Sequence, residues 1–410
     1  MLVSLTIIVA LAALFSYLNH KFLKLPLTIG LLILSIILAL FFAALREVSP
    51  LVFDQACEVV LNINFRDILM NVMLSFLLFA GAMHVDLKAL EKEKWAVMLF
   101  ATLGVLISTF IVGGLGFLVF RLLGLHLPLI HCLLFGALIS PTDPIAVLAI
   151  LKEAHTSKSL ELKISGESLF NDGVGVVVFL SIAMVATMGV EHFEVSEIFH
   201  LFALEALGGI AYGVVLGYLG YLLLKSIDDA PKIEVLITIS IAMGGYALAD
   251  ILGVSGPLAM VAAGLLIGHQ LSSGKFSKNS KKHMDLFWEM LDDILNAVLF
   301  VLIGLEIMIL SFELRYFLAG LAAVIIVLAA RFSSVGLSYA LLRNHDASKI
   351  KTIGILTWGG LRGGISVALA LSLEPSMSRE MIVFITYMVV VTSVLVQGLT
   401  IKSVVRKLST

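Results

Sequence analysis

The sequence predicts an all-α polytopic membrane protein of about thirteen transmembrane helices, built as an inverted repeat of spans 1–6 and 8–13 with discontinuous helices 5 and 12. Three observations predict it. Of 410 residues, 60% are hydrophobic and only 14% charged, with a mean hydropathy of +1.09, far outside the range of soluble domains. The basic residues divide cleanly between alternate connecting segments. Strong helix breakers recur in the fifth span of each half.

Stretches long enough to cross the hydrocarbon core fall near residues 2–18, 27–45, 68–83, 95–120, 129–150, 164–190, 200–224, 233–250, 257–271, 287–311, 316–342, 352–373 and 381–401. The first follows Met1-Leu2-Val3-Ser4 with no basic segment and no small-residue cleavage site, so it is expected to be a retained helix. Cys57 and Cys132 are too few for a disulfide framework and match no metal spacing. A net charge of −2 gives no reason to expect nucleic acid as a partner.

Lys and Arg collect in cytoplasmic loops. With the N-terminus outside, the inner segments hold twenty basic residues, among them Lys21, Lys24, Lys88, Lys152, Lys163, Lys225, Lys278, Lys281, Lys282, Arg343 and Arg406. The outer segments hold five, Arg46, Arg66, Arg121, Arg315 and Arg379. The remaining two, Arg331 and Arg362, lie inside spans. The chain is therefore expected in a cell (inner) membrane, multi-pass, N-terminus outside and C-terminus cytoplasmic. Span 7 then sets the two flanking sets of six spans in opposite orientations, which is the arithmetic of an inverted repeat.

Span 5 carries Ser140-Pro141-Thr142-Asp143-Pro144, and span 12 carries Gly359-Gly360-Leu361-Arg362-Gly363-Gly364. Proline removes an amide donor and glycine tolerates non-helical dihedrals, so both helices are expected to unwind where other protein covers them. Glycine can instead simply admit a close helix neighbour, but that alone does not account for a charged residue in each break. A carboxylate at bilayer depth costs at least ~2.5 kcal/mol on insertion scales, so Asp143, Glu167 and Asp172 are expected to serve function.

Ser168 and Asp172 lie four residues apart on one face of span 6. With Thr142 and Asp143 they supply carbonyl, hydroxyl and carboxylate oxygens, the donor set that a hard cation such as Na+ prefers. Asp143 and Asp172 would carry the charge of that site, unless Asp172 is only a buried acid with a structural partner. Glu167 is offset from this face and is expected to pair with Arg331, alone in the middle of span 11. Arg362 would offset the carbonyl ends and carboxylate of the broken span 5 and repel a second cation. Glu289, Asp292 and Asp293 form either a cation funnel or the solvated start of span 10, and Glu306 near its outer end could reach the interface.

Together with Gly166-Glu-Ser-Leu-Phe-Asn-Asp-Gly173, Gly253-Val-Ser-Gly256, Ile303-Gly-Leu-Glu306 and Trp358-Gly-Gly-Leu-Arg-Gly363, the Ser140–Pro144 segment resembles the sodium/proton exchanger family of NhaP and NHE type over nearly the whole chain. The resemblance implies a single transmembrane exchanger domain over 1–410 and a homodimer. Its moving core would take in about 95–190 and 316–401, its scaffold about 1–90 and 200–311. It carries the Asn-Asp pair onto Asn171 and Asp172, a mark of electroneutral exchange in that family. With the sequence ending at Thr410, no long animal-type regulatory tail is expected. The resemblance thus implies a transporter without cofactor and not an enzyme, exchanging Na+ or Li+ for H+ in the lipid bilayer, with one cation and one proton competing for Asp172. K+/H+ exchange on the same fold, a cation channel, and an intramembrane aspartyl protease using two carboxylates are the alternatives; the protease is disfavoured by Pro144 directly after Asp143.

Overall fold

The computed structural model describes residues 2–144, 147–148, 150–151, 157–188, 195–227, 229–342 and 349–409. Lys152 and Arg343 of the predicted inner segments, and part of the end of span 5, lie outside them. Helix follows helix throughout. Helix α1 (Leu2–Leu18) runs into a π turn (Asn19–Leu23), which ends where the Asn19 amide bonds both the N–H and the carbonyl of Leu25. Then come α2 (Leu27–Leu45) and α3 (Pro50–Leu61), followed by α4 (Phe65–Ile68), which passes through a π turn (Leu69–Met73) into α5 (Leu74–Met83). The first half continues with α6 (Leu87–Ala101), α7 (Leu103–Leu122), α8 (Leu129–Ile139) and α9 (Lys158–Met188). Next are α10 (Val195–Ser226), α11 (Pro231–Ile251), α12 (Gly256–Ser272), α13 (Lys278–Leu305), α14 (Leu314–Leu341), α15 (Lys349–Trp358) and α16 (Gly364–Leu371). Helix α17 (Arg379–Thr392) joins α18 (Gly398–Ser409) through a third π turn (Ser393–Gln397).

Among the described residues nine helical stretches are long and apolar enough to cross a membrane, and the only β pairing is a single antiparallel bridge between Asp143 and Leu361. Helix ends follow local chemistry. Asp86, Ser255 and Ser277 cap α6, α12 and α13 by accepting first-turn amide hydrogens. Gly253 and Gly274, at φ +68° and +76°, close α11 and α12 in the left-handed conformation that an L side chain resists.

Small residues let the long helices approach. Gly209, Gly213 and Gly217 of α10 lie against Ser255, Ala259 and Ala263 of α12; a Cβ at Gly217 would stand 2.9 Å from the Ala263 Cα. Spacing by four on both partners makes one seam, the small-residue packing that replaces hydrophobic attraction in lipid. Trp288 of α13, fully buried, packs against Phe79 of α5 with ring centroids 4.8 Å apart and donates its indole N–H to Thr238 of α11 at 3.1 Å. That ties α13 to α5 and α11.

Several sequence expectations need correction. Helix α3 falls in a segment read as a loop: Ser49 and Pro50 start it, but its residues are too mixed for a hydropathy run. Span 4 is two helices with a break at Thr102, whose hydroxyl bonds back to the Met98 carbonyl at 2.6 Å. Span 10 begins nine residues earlier than hydropathy places it, at Lys278, because the first turns of α13 are amphipathic. Lys163 does not sit in a loop. It is 8% exposed within α9 and paired with Glu93 at 3.5 Å. Glu306 does not reach outward either; it is buried at the end of α13.

Candidate functional site

The helical run of α8 stops at Ile139, and that of α15 at Trp358. Over residues 141–144, and between α15 and α16, the chain leaves the helix, and the two non-helical pieces meet. The Asp143 N–H donates to the Leu361 carbonyl at 2.8 Å, so each break satisfies part of the other's backbone. This is how irregular backbone survives at membrane depth: protein, not lipid, covers it.

Side chains take up the remaining freed groups. The Arg362 guanidinium, 1% exposed, donates through Nη1 to the carbonyls of Ser140 at 2.5 Å and Pro141 at 3.0 Å. It thus neutralises the negative end of α8. The Arg362 N–H donates to Ser393 Oγ at 3.1 Å, and Gln397 Nε2 donates to the Trp358 carbonyl at 3.1 Å. Both partners belong to the third π turn, which therefore braces the second break; π turns often mark functional positions of this kind.

Helix α9 braces the first break. Asn171 Nδ2 donates to Thr142 Oγ1 at 2.8 Å, while Asn171 Oδ1 accepts the Thr142 N–H at 3.3 Å. The Ser168 hydroxyl donates to the Thr142 carbonyl. All three polar groups of Thr142 are thus held from one helix face. One turn from Ser168, Asp172 stands on the same face, partly exposed, and its carboxylate is in electrostatic contact with that of Asp143. Two acids, two hydroxyls and a carbonyl therefore gather where the breaks meet.

Glu167 and Arg331 form a bidentate pair, with Nη2 to Oε2 at 2.9 Å and Nη1 on Oε1, and Nη2 also reaches the Leu356 carbonyl at 3.2 Å. Their side chains are 1% and 7% exposed. The pair joins α9, which follows the first break, to α14 and to α15, which leads into the second. Gly360 makes room for it: a Cβ there would lie 2.6 Å from Arg331 Nε and 3.2 Å from Thr142 Cγ2. Gly363 does the same for Asp143, since its Cβ would stand 2.5 Å from Oδ2.

All eight residues singled out from the sequence, Thr142, Asp143, Glu167, Ser168, Asn171, Asp172, Arg331 and Arg362, thus lie in or against the breaks. Sequence reasoning missed Ser393 and Gln397. Polar residues four apart inside an apolar span were the available signal, but nothing in the sequence marks the π turn that aims them. It also left open the face of Asp292. Asp292 is half-buried, with the charges of Asp293 and then Asp143 acting on it, while Glu289 and Asp293 are exposed.

Comparison with known proteins identifies the relatives of this arrangement. The family described as "Sodium/hydrogen exchanger, transmembrane" matches residues 8–407. The chain is 46% identical over 405 residues to the Na(+)/H(+) antiporter NhaP of Pseudomonas aeruginosa, covering 98% of this chain and 95% of the relative. It is 32% identical to the Na(+)/H(+) antiporter NhaH of Halobacillus dabanensis, covering 95% and 93%. Among solved structures, the sodium proton antiporter MjNhaP1 of Methanocaldococcus jannaschii superposes with a TM-score of 0.78 over 98% of this chain and 97% of that one, at 22% identity, a likeness of fold. With the match running through both breaks and the helices that hold them, this chain belongs to the sodium/hydrogen exchanger transmembrane family.

Proposed function

We propose that the protein exchanges Na+ for H+, one for one and without net charge movement, by alternating access, with the two ions competing for Asp172. It is a transporter and not an enzyme. The observation that carries this reading is the gathering of Asp143 and Asp172 at the crossing of the two breaks, with Thr142 and Ser168 beside them. Na+ or Li+ would be held by these oxygens, a hard-cation donor set. Asp143, Glu167 and Asp172 against Arg331 and Arg362 leave one net negative charge. A single monovalent cation or a single proton cancels it. The loaded centre can then cross a low-dielectric region, whereas the empty one carries an unpaired charge and is held back.

We further infer thirteen crossings in an inverted repeat. The nine long apolar stretches, α12, α13 and the two broken segments supply that number, and the antiparallel meeting of the breaks suits a pseudo-twofold arrangement. In this reading about 95–190 and 316–401 form the moving core and about 1–90 and 200–311 the scaffold of a homodimer. The protein would sit in the inner cell membrane with its N-terminus outside and its C-terminus in the cytoplasm, as the basic residues favour.

The test is cation-driven proton flux in proteoliposomes with Na+, Li+ and K+, at clamped and unclamped membrane potential. Electroneutral exchange predicts equal rates in the two conditions, and a rate that follows the potential would sink the one-for-one stoichiometry. Gly363→Ala should lose most of the flux while remaining folded. Its backbone, φ −116° and ψ −166°, accepts any residue, so the cost is the collision with Asp143 alone. Wild-type flux in that variant would contradict the site.

A further inference from the structure

Among the described residues Lys163 of α9 is the only buried lysine. Its Nζ stands 3.5 Å from Glu93 Oε2 of α6, and Glu93 Oε1 accepts the Ser159 hydroxyl at 2.5 Å. Ser159 and Lys163 are one turn apart, so a single face of α9 engages both oxygens of this carboxylate. The pair within α6, Lys94 with Glu91, differs in kind. It spans 3.9 Å with both side chains more than half exposed, where water screens it.

Glu167 follows Lys163 by four residues on the same face of α9. The two buried ion pairs among the described residues, Glu93 with Lys163 and Glu167 with Arg331, therefore stand one turn apart. Gly166 lets α6 press against α9 in the interval: a Cβ there would lie 2.7 Å from Leu90 Cδ1 and 3.0 Å from Val97 Cγ2. Both of these side chains are buried, so apolar packing flanks the step from one pair to the next. Asp172 lies nine residues after Lys163 on the same helix, about 14 Å along its axis.

We propose that Glu93 is a positioning residue for exchange. By holding the Lys163 ammonium and cancelling its charge, it keeps the ion centre at one net negative charge and so sets the affinity of that centre for the cation. The inference rests on the exchange reading above and adds a control on affinity outside the ligand set. An unpaired ammonium on this face would act along the buried length of α9 and oppose a second positive charge at Asp172. Across about 14 Å at an effective dielectric constant of about 20, that opposition amounts to roughly a five- to tenfold loss of cation affinity.

The measurement is the Na+ concentration giving half-maximal proton flux in proteoliposomes, taken at alkaline pH where protons compete least. Glu93→Gln keeps an acceptor for Ser159 but leaves Lys163 unpaired, and should raise the half-saturating concentration roughly five- to tenfold. Lys163→Gln leaves the opposite charge and should lower it. The double variant Glu93→Gln, Lys163→Gln carries neither charge and should return to within about twofold of wild type. Opposite signs in the single variants and recovery in the double variant are what a charge produces. Loss of a simple anchor between α6 and α9 would move both single variants the same way and leave the double variant no better. Either of those results, or an unchanged half-saturation in Glu93→Gln, would overturn the proposal. Should Glu93→Gln fail to fold, Lys163→Gln decides alone: an unchanged or raised value there overturns it. Failure of the exchange reading is distinct: wild type itself would then carry no Na+-driven flux, or Asp172→Asn would carry it undiminished.

Discussion

Asp172→Asn protein is expected to show no cation-driven proton flux above that of empty liposomes, and a melting temperature equal to or higher than wild type. The two halves of this expectation have separate causes. Amide and carboxylate are nearly isosteric, and the contacts that hold the first break, Asn171 and Ser168 on Thr142, do not involve Asp172. The fold therefore has no reason to fail. Asp172 and Asp143 repel each other, so removing one charge relieves the site. Transport is lost for the opposite reason. An amide can neither take up the exchanged proton nor neutralise a cation, and the net charge that the two ions compete to cancel is gone. Dye-reported flux and thermal unfolding in detergent check both halves on one preparation. Flux at the wild-type rate would refute competition at Asp172; a lower melting temperature would show the carboxylate to be a structural partner.

The parts of this site that are legible in the sequence are those where the membrane makes an exception expensive. Asp143, Arg331 and Arg362 stand out because a charge in an apolar span must be compensated. Glu167 follows as the partner of Arg331 because it is offset from the Ser168–Asp172 face and Arg331 stands alone in the middle of span 11. The breaks themselves are announced by Pro141, Pro144 and the glycines around Leu361. What stays hidden depends on register and local winding. Ser393 and Gln397 reach the second break only because the chain is wound as a π turn between them. Asn171 is flagged by its resemblance to a family pattern, yet its bidentate hold on Thr142 is a matter of geometry that spacing cannot give. Helix α3 and the first turns of α13 escape hydropathy because they are amphipathic, and for that reason the half-burial of Asp292 was indistinguishable from a solvated helix start.

Arg331→Ala alone should destabilise the protein by about 3–5 kcal/mol, and the Arg331→Ala, Glu167→Gln double variant by clearly less. In the wild type both Glu167 oxygens are engaged by the guanidinium, and Nη2 also holds the Leu356 carbonyl. Removing the arginine strands a carboxylate that is 1% exposed, with both of its guanidinium hydrogen bonds gone. Neutralising Glu167 in the same protein removes that charge and leaves only a cavity and two lost hydrogen-bond partners, each of smaller cost. The order of melting temperatures in detergent, wild type above the double variant and the double variant above Arg331→Ala, is therefore the signature of a charge pair as opposed to simple packing. A double variant as unstable as the single one would mean that Arg331 acts mainly through its volume and its bond to Leu356. Flux offers a second reading. Arg331 ties α9 to α14 and α15 across the breaks, so the double variant, though folded, should still exchange ions poorly, because Gly360 loses the side chain against which it is packed.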